Sequence, residues 1–221
     1  ARSRGTLPLA EAEAVVRSLS LAMRAEGGVS LPMTELAGFD QYGTTHAMNV
    51  SVLAMALGEW MELSSKDVRT LGMAALLHDI GMTRIPAELL ATPGPLTAEQ
   101  RAVVEGHAAA GAALIYEADK ELDLAATVAY EHHLAADGSG YPVLRHPRVP
   151  HPASALVHVC DVYDALRSVR PHRAAWTADE ALGYIEGHLD AAFDRVVGQA
   201  FVAMMRSWEA RVAVIDTVEA G

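Results

Sequence analysis

The apolar residues of this chain recur at intervals of three and four, with no pair of alternating segments, and that periodicity points to helices throughout. Leu9, Ala12, Val16, Leu19 and Met23 form an a/d seam two heptads long, which suits a dimerising or domain-linking helix, or an ordinary packed one. Residues 27–41, with three glycines and a proline, read as a connection. A helix is expected from about Thr45 to Met61, with His46, Val50, Leu53 and Leu57 on one stripe. Another starts near Ser65 and runs into His78-Asp79, with Gly81 at its C-terminal turn. Thr97 and Gln100 form a capping-box pattern that opens a helix including His107, and the helix from about Glu121 ends in His132-His133. Further helices are expected over about 153–169, after the Thr177/Glu180 cap, and over about 194–214. The expected class is all-α: one compact multi-helix domain over residues 41–221, preceded by a helix and connection over 1–40.

Composition narrows the function. Seventeen basic residues against 28 acidic ones give a net charge of −11, which argues against wrapping a DNA or RNA polymer. A small phosphorylated ligand needs only a local positive site. Arg145, Arg148, Arg167, Arg170 and Arg173 supply a stretch rich in the planar forks that suit phosphate oxygens, although a GC-rich genome produces the same arginine bias. No run approaches the ~18 apolar residues of a membrane span. The N-terminus lacks the apolar core of a signal peptide, so a cytoplasmic location is expected; the missing initial Met fits a piece of something longer. The single cysteine, Cys160, excludes an internal disulfide and a zinc site built on two or more thiolates.

Ten histidines beside that one cysteine favour metals held by nitrogen and oxygen. His46, His78, Asp79, His107, His132, His133 and Asp161 fall at helix ends and on faces that could converge. Singly, each has an ordinary reading as a structural or solvated side chain. The adjacent His132 and His133 are harder to dismiss, since a helix points neighbours about 100° apart and only a converging site uses both.

The string Leu76-Leu77-His78-Asp79-Ile80-Gly81 resembles the signature of the HD superfamily of metal-dependent phosphohydrolases. Ile85-Pro86, Pro93-Gly94-Pro95-Leu96-Thr97, His132-His133, Asp137-Gly138-Ser139-Gly140-Tyr141-Pro142, Asp161-Val162-Tyr163-Asp164-Ala165-Leu166 and Arg170-Pro171-His172-Arg173 follow in the order seen in its HD-GYP subgroup. The resemblance covers about residues 42–205 and leaves residues 1–40 unmatched.

This resemblance implies an all-α bacterial enzyme that hydrolyses cyclic di-GMP to pGpG, and onward to GMP in some cases. It implies one metal held by His46, His78, Asp79 and Asp161, with Asp79 bridging to a second held by His107, His132 and His133. Iron or manganese is expected first, with zinc, nickel or magnesium as other fits. Two divalent ions, two carboxylates and a bridging hydroxide leave one positive charge, which one phosphodiester matches; the hydroxide is available at neutral pH because metals lower the pKa of water towards ~7. By family position Arg170 and Arg173 contact the substrate phosphates. Tyr141 lines the entrance or offers a docking surface for a diguanylate cyclase domain. Fusion to sensory or receiver domains is expected, with the N-terminal helix pairing two subunits into a homodimer or transmitting a signal.

Two departures from the family pattern bear on mechanism. Lysine commonly follows His-Asp-x-Gly, whereas this chain has Met82, a thioether with no charge or proton to give. Relatives with three metals carry a glutamate one turn before His46, where this chain has Tyr42, so two ions are expected. Three readings follow: a binuclear cyclic di-GMP phosphodiesterase, a catalytically weak cyclic-dinucleotide receptor or regulatory module, which Met82 favours, and a hydrolase of another phosphorylated nucleotide.

Overall fold

The computed structural model describes residues 7, 9–25, 42–90, 92, 94–146, 148–169 and 174–219, without side-chain detail at 22, 24, 25, 42 and 209–219. Its helices are α1 (Leu9–Ala25), α2 (Tyr42–Trp60), α3 (Ser65–Leu77), α4 (Ala87–Leu90), α5 (Ala98–Glu105), α6 (His107–Ala118), α7 (Asp123–Glu131), α8 (Pro152–Arg167), α9 (Ala178–Gly187) and α10 (Arg195–Glu219). A 3-10 segment, Ile80–Arg84, follows α3. Two isolated bridges, Leu134 with Gly140 and Leu189 with Phe193, are the only β pairings among the described residues. The all-α expectation holds.

Local sequence explains most helix starts. The Ser64 hydroxyl accepts the Asp67 amide at the head of α3. Thr97 with Gln100 and Thr177 with Glu180 close complete capping boxes on α5 and α9. His151 caps α8, with Pro152 in the first turn, where its missing N–H costs nothing. One expectation fails in detail. The helix opened by Thr97 does not run through His107; it breaks at Gly106, and His107 starts α6 instead.

α2 is buried along a continuous run, Val50 and Leu53 to Leu57, and packs against α3, α8 and α10. A helix apolar on so many sides belongs inside a bundle rather than on its surface. The Ser51 hydroxyl donates to the Gly72 carbonyl at 2.8 Å, and a Cβ at Gly72 would collide with Met55, so α2 and α3 touch backbone to side chain. Phe201, Met204, Leu182 and Ile185 close the far side of the core. α1 lies on α3 and α2, burying Ala12, Val16 and Met23. Those members of the a/d seam therefore face the chain's own domain.

Gly81 does not end α3 as expected; α3 stops at Leu77 and His78 is its C-cap. The glycine is needed for a close approach, since a Cβ there would overlap the backbone at His107 and Gly111 on α6. That contact brings the His78-Asp79 turn against the head of α6.

Candidate metal centre

Every candidate histidine sits where a helix begins or ends, or on a face turned inward. His46 is on the first turns of α2; His78 and Asp79 follow the end of α3; His107 opens α6; His132 and His133 follow the end of α7; Asp161 lies midway along α8. α3 packs on α2 and α7, and α7 packs on α6 and α8, so these five points of the chain meet. His46, His78, His107, His132 and Asp161 are buried, while Asp79 and His133 are partly open.

Two overlapping groups of potential ligand atoms result. Asp79, His107, His132 and His133 form one, and His46, His78 and Asp79 the other, with the ligand atoms of each group within 4.8 Å of one another. Asp79 belongs to both. Its Oδ1 lies 3.1 Å from His107 Nε2 and 3.5 Å from His132 Nε2, while Oδ2 lies 3.5 Å from His78 Nε2. Asp161 joins the second group through Oδ1, 3.1 Å from His46 Nε2, and leans towards His133 with Oδ2 at 3.9 Å.

The hydrogen bonds on the outer side of each ring fix which nitrogen faces inward. Nδ1–H of His78 donates to the Ala75 carbonyl at 2.6 Å, that of His107 to Val104 at 2.8 Å, and that of His132 to Ala129 at 3.0 Å. Each neutral ring is thereby assigned a bare Nε2. The Nε2 atoms of His107 and His132 lie 3.3 Å apart, both next to a carboxylate oxygen. The buried His78 Nε2 makes no hydrogen bond. Acceptors crowded on acceptors in a low-dielectric interior repel one another unless a cation lies between them. The donor set is imidazole and carboxylate, so the residues fit divalent metal ions of the iron, manganese and zinc type.

Electrostatics in the ion-free cluster follow from the same crowding. Burial disfavours ionised Asp79, yet with protons in place of ions the charge of His78 and the close ring nitrogens of His107 and His132 hold its carboxyl well below the usual range. Burial likewise opposes ionised Asp161, and His46, His78 and His133 outweigh it. His46 is buried too, but hydrogen bonds to Asp161 and Asp164 push it up to about 11. His133 moves the other way, to about 2, because burial and the neighbouring His132 both oppose a proton there.

Tyr141 reaches the cluster from its loop. Its ring packs on His133 at 4.4 Å and edge-on to His107 at 6.0 Å between centroids. Burial and the nearby Asp79 and Asp161 push its hydroxyl upward, so it remains a neutral donor at physiological pH. The loop folds back on α7: the Tyr141 amide donates to the His133 carbonyl, and the Ala136 and Asp137 amides donate to Ala192 and Ala191. Gly140, at φ +91°, leaves no room for a Cβ beside that His133 carbonyl.

The structure thus brings together His46, His78, Asp79, His107, His132, His133, Asp161 and Tyr141. Arg170 and Arg173 lie outside the described residues, as does the side chain of Tyr42. Two of the clustered arginines are committed elsewhere: Arg148 pairs with Glu131, and Arg167 donates to the Trp176 carbonyl at 2.6 Å. Sequence reasoning missed Asp164, which is fully buried and accepts His46 Nδ1–H at 2.7 Å and the Asn49 amide at 2.8 Å. Its spacing of three from Asp161 on one helix face was the available signal. It also missed His158, which stands three residues before Asp161 on the same helix and carried an equal signal, and Glu131, which carried none before α7 and α8 were paired.

Comparison with known proteins agrees with this geometry. The HD domain family matches residues 31–197. The chain is 32% identical to the protein named Cyclic di-GMP phosphodiesterase PA4108 of Pseudomonas aeruginosa, over 97% of this chain and 54% of that one. It is 39% identical to Cyclic di-GMP phosphodiesterase response regulator RpfG of Xanthomonas campestris, over 66% of this chain and 39% of that one. The chain therefore spans about half or less of the length of these relatives. Among solved structures, Bd1817, a HDG"Y"P protein from Bdellovibrio bacteriovorus, superposes with a TM-score of 0.69 at 21% identity, over 88% of this chain and 62% of that one, which shows a shared fold.

Proposed function

The chain belongs to the HD domain family, in its HD-GYP group, and from that premise we propose that it is a metal-dependent phosphodiesterase opening cyclic di-GMP to linear pGpG, and onward to GMP. The observation that carries the reading is the pair of ligand groups sharing Asp79, each lined by ring nitrogens that outer hydrogen bonds turn inward. Asp79 with His107, His132 and His133 would hold one divalent ion, and His46, His78, Asp79 and Asp161 the other, iron or manganese first. Such ions supply positive charge for phosphodiester oxygens and lower the pKa of water towards ~7.

The remaining work falls to the chain. Asp164 holds the His46 ring in the tautomer that turns Nε2 inward, and the carbonyls of Ala75, Val104 and Ala129 do the same for His78, His107 and His132. Burial of the rings keeps bulk water out of the reacting centre, where a fixed charge acts more strongly. Tyr141 offers a neutral O–H at the open side, beside the exposed part of Asp79 and His133. Arg170 and Arg173 would contact the substrate phosphates.

Met82 is the one residue that speaks for a second reading, a cyclic-dinucleotide receptor with weak turnover, which the relatives named as phosphodiesterases do not favour. Among the described residues no helix is long and apolar enough to cross a membrane. Action in the cytoplasm, beside a diguanylate cyclase or receiver domain, belongs to the same proposal, as does the division into residues 1–40 and a phosphohydrolase domain over 41–221. Incubation with cyclic di-GMP and Mn²⁺ or Fe²⁺, followed by chromatography, tests it. The expected result is pGpG formation that disappears in Asp79→Ala. Binding without any product contradicts the enzyme and leaves the receptor.

A further inference from the structure

Glu131 is the last residue of α7 and is fully buried, although it belongs to neither ligand group. A carboxylate out of water is costly unless it is paired and hydrogen-bonded, so an apolar residue would end this helix more cheaply. Its partners all come from one short stretch. Oε2 accepts the His151 amide at 2.7 Å and the Ser154 hydroxyl at 2.9 Å, and Oε1 pairs with Arg148. These residues are the approach to α8 and its first turn.

The next residue repeats the tie. The His132 carbonyl accepts Nδ1–H of His158, on α8, at 2.7 Å. Ser154, His158 and Asp161 follow one another at spacings of four and three, which places them on one face of α8. The first holds Glu131, the second holds His132, and the third faces His46 and His133 across the cluster. One stripe of α8 therefore both anchors the end of α7 and presents a carboxylate to the cluster.

We propose that Glu131 is a positioning residue, which clamps the end of α7 in register with α8 and so sets the spacing of His132 and His133 from Asp79 and Asp161. It acts through the backbone of its neighbours and touches no substrate. The proposal rests on the two-ion reading above. Its effect should concentrate on the ion held by His107, His132 and His133, because His132 and His133 directly follow the clamp.

The test loads the full chain with Mn²⁺ and reads ion affinity by titration and the paired-ion signal by electron paramagnetic resonance. Wild type should bind two ions per chain with an exchange-coupled spectrum. Glu131→Ala should bind one of the two ions about 10- to 100-fold less tightly, as loss of an outer support does, and lose the coupled signal. Glu131→Gln keeps an acceptor for His151 and Ser154 and should recover much of both; Ser154→Ala should fall between. A role in overall stability alone would lower the melting temperature and leave the folded fraction with wild-type affinity and spectrum, which overturns the proposal. If Glu131→Ala does not fold, unchanged affinity and coupling in Ser154→Ala overturn it equally. A wild-type chain that binds no ion pair sinks the two-ion reading itself, whereas wild-type binding with unaffected variants sinks the clamp alone.

Discussion

His107 and His132 face each other through their Nε2 atoms at 3.3 Å, and each has its other ring nitrogen turned outward to a backbone carbonyl. Two neutral imidazoles so arranged present lone pair to lone pair, beside an Asp79 oxygen that is also an acceptor. A hydrogen-bonded core would have turned one ring over. The chain builds a hole for positive charge, and the predictions below follow from what fills it.

In the ion-free protein, protons take that place. His46 is raised from 6.5 to about 11, so its charged form stabilises the ion-free fold fully below 6.5, and that contribution is lost as the pH rises through about 11. An ion that takes Nε2 must displace this proton, so ion affinity should rise with pH while the His46 contribution to ion-free stability falls. Calorimetric Mn²⁺ titrations at pH 7, in two buffers of different ionisation enthalpy, count the protons released. At least one per chain is expected; none released contradicts His46 as a ligand.

Asp164 should matter nearly as much as a ligand. Asp164→Asn keeps the shape but removes the charge that orients His46 and raises its basicity. A loss of about 10- to 100-fold in ion affinity or turnover is expected from such an outer partner. Wild-type values for both in Asp164→Asn would show that His46 holds its orientation unaided.

Met82 offers a gain-of-function test. Its amide donates to the Asp79 carbonyl in a 3-10 turn, and in that geometry side chains three apart eclipse. A cation at 82 would therefore sit over Asp79, beside the reacting centre. Met82→Lys should raise kcat on cyclic di-GMP, by up to about 10²–10³-fold if the lysine serves as a transition-state donor. Steady-state kinetics showing no change in kcat would remove position 82 from the mechanism.

The N-terminal helix supports the fold. Met23 is 6% exposed and Val16 3%, both within the main core. Met23→Ala should cost about 2–5 kcal/mol, with the melting temperature falling by roughly 2–4 °C per kcal/mol for a chain of this size. Ion content should stay intact. An unchanged melting temperature together with a lower dimer fraction in light scattering would place this face in a subunit interface instead.

The sequence made some of this legible because certain residues announce local structure. Thr97 and Thr177 with their acidic or amide partners three residues on gave helix starts that the structure reproduces, since a capping box depends on neighbours alone. The meeting of the seven candidate residues in one cluster was also legible, through motif order more than periodicity. What stayed hidden depends on partners far along the chain. Gly81 looked like a helix stop, but its role is set by the backbone of α6. The seam from Leu9 to Met23, two heptads long, suits a dimerising helix or an ordinary packed one, and its packing on α3 and α2 settles where Ala12, Val16 and Met23 lie. Glu131 carried no signal, because its partners at 148, 151 and 154 lie across a loop.

Anomalous diffraction from crystals loaded with Mn²⁺ addresses the central claim most directly. Two peaks per chain are predicted, on either side of the Asp79 carboxylate, one among His46, His78 and Asp161 and the other among His107, His132 and His133. A single peak, a third peak, or density away from Asp79 would contradict the shared-carboxylate pair.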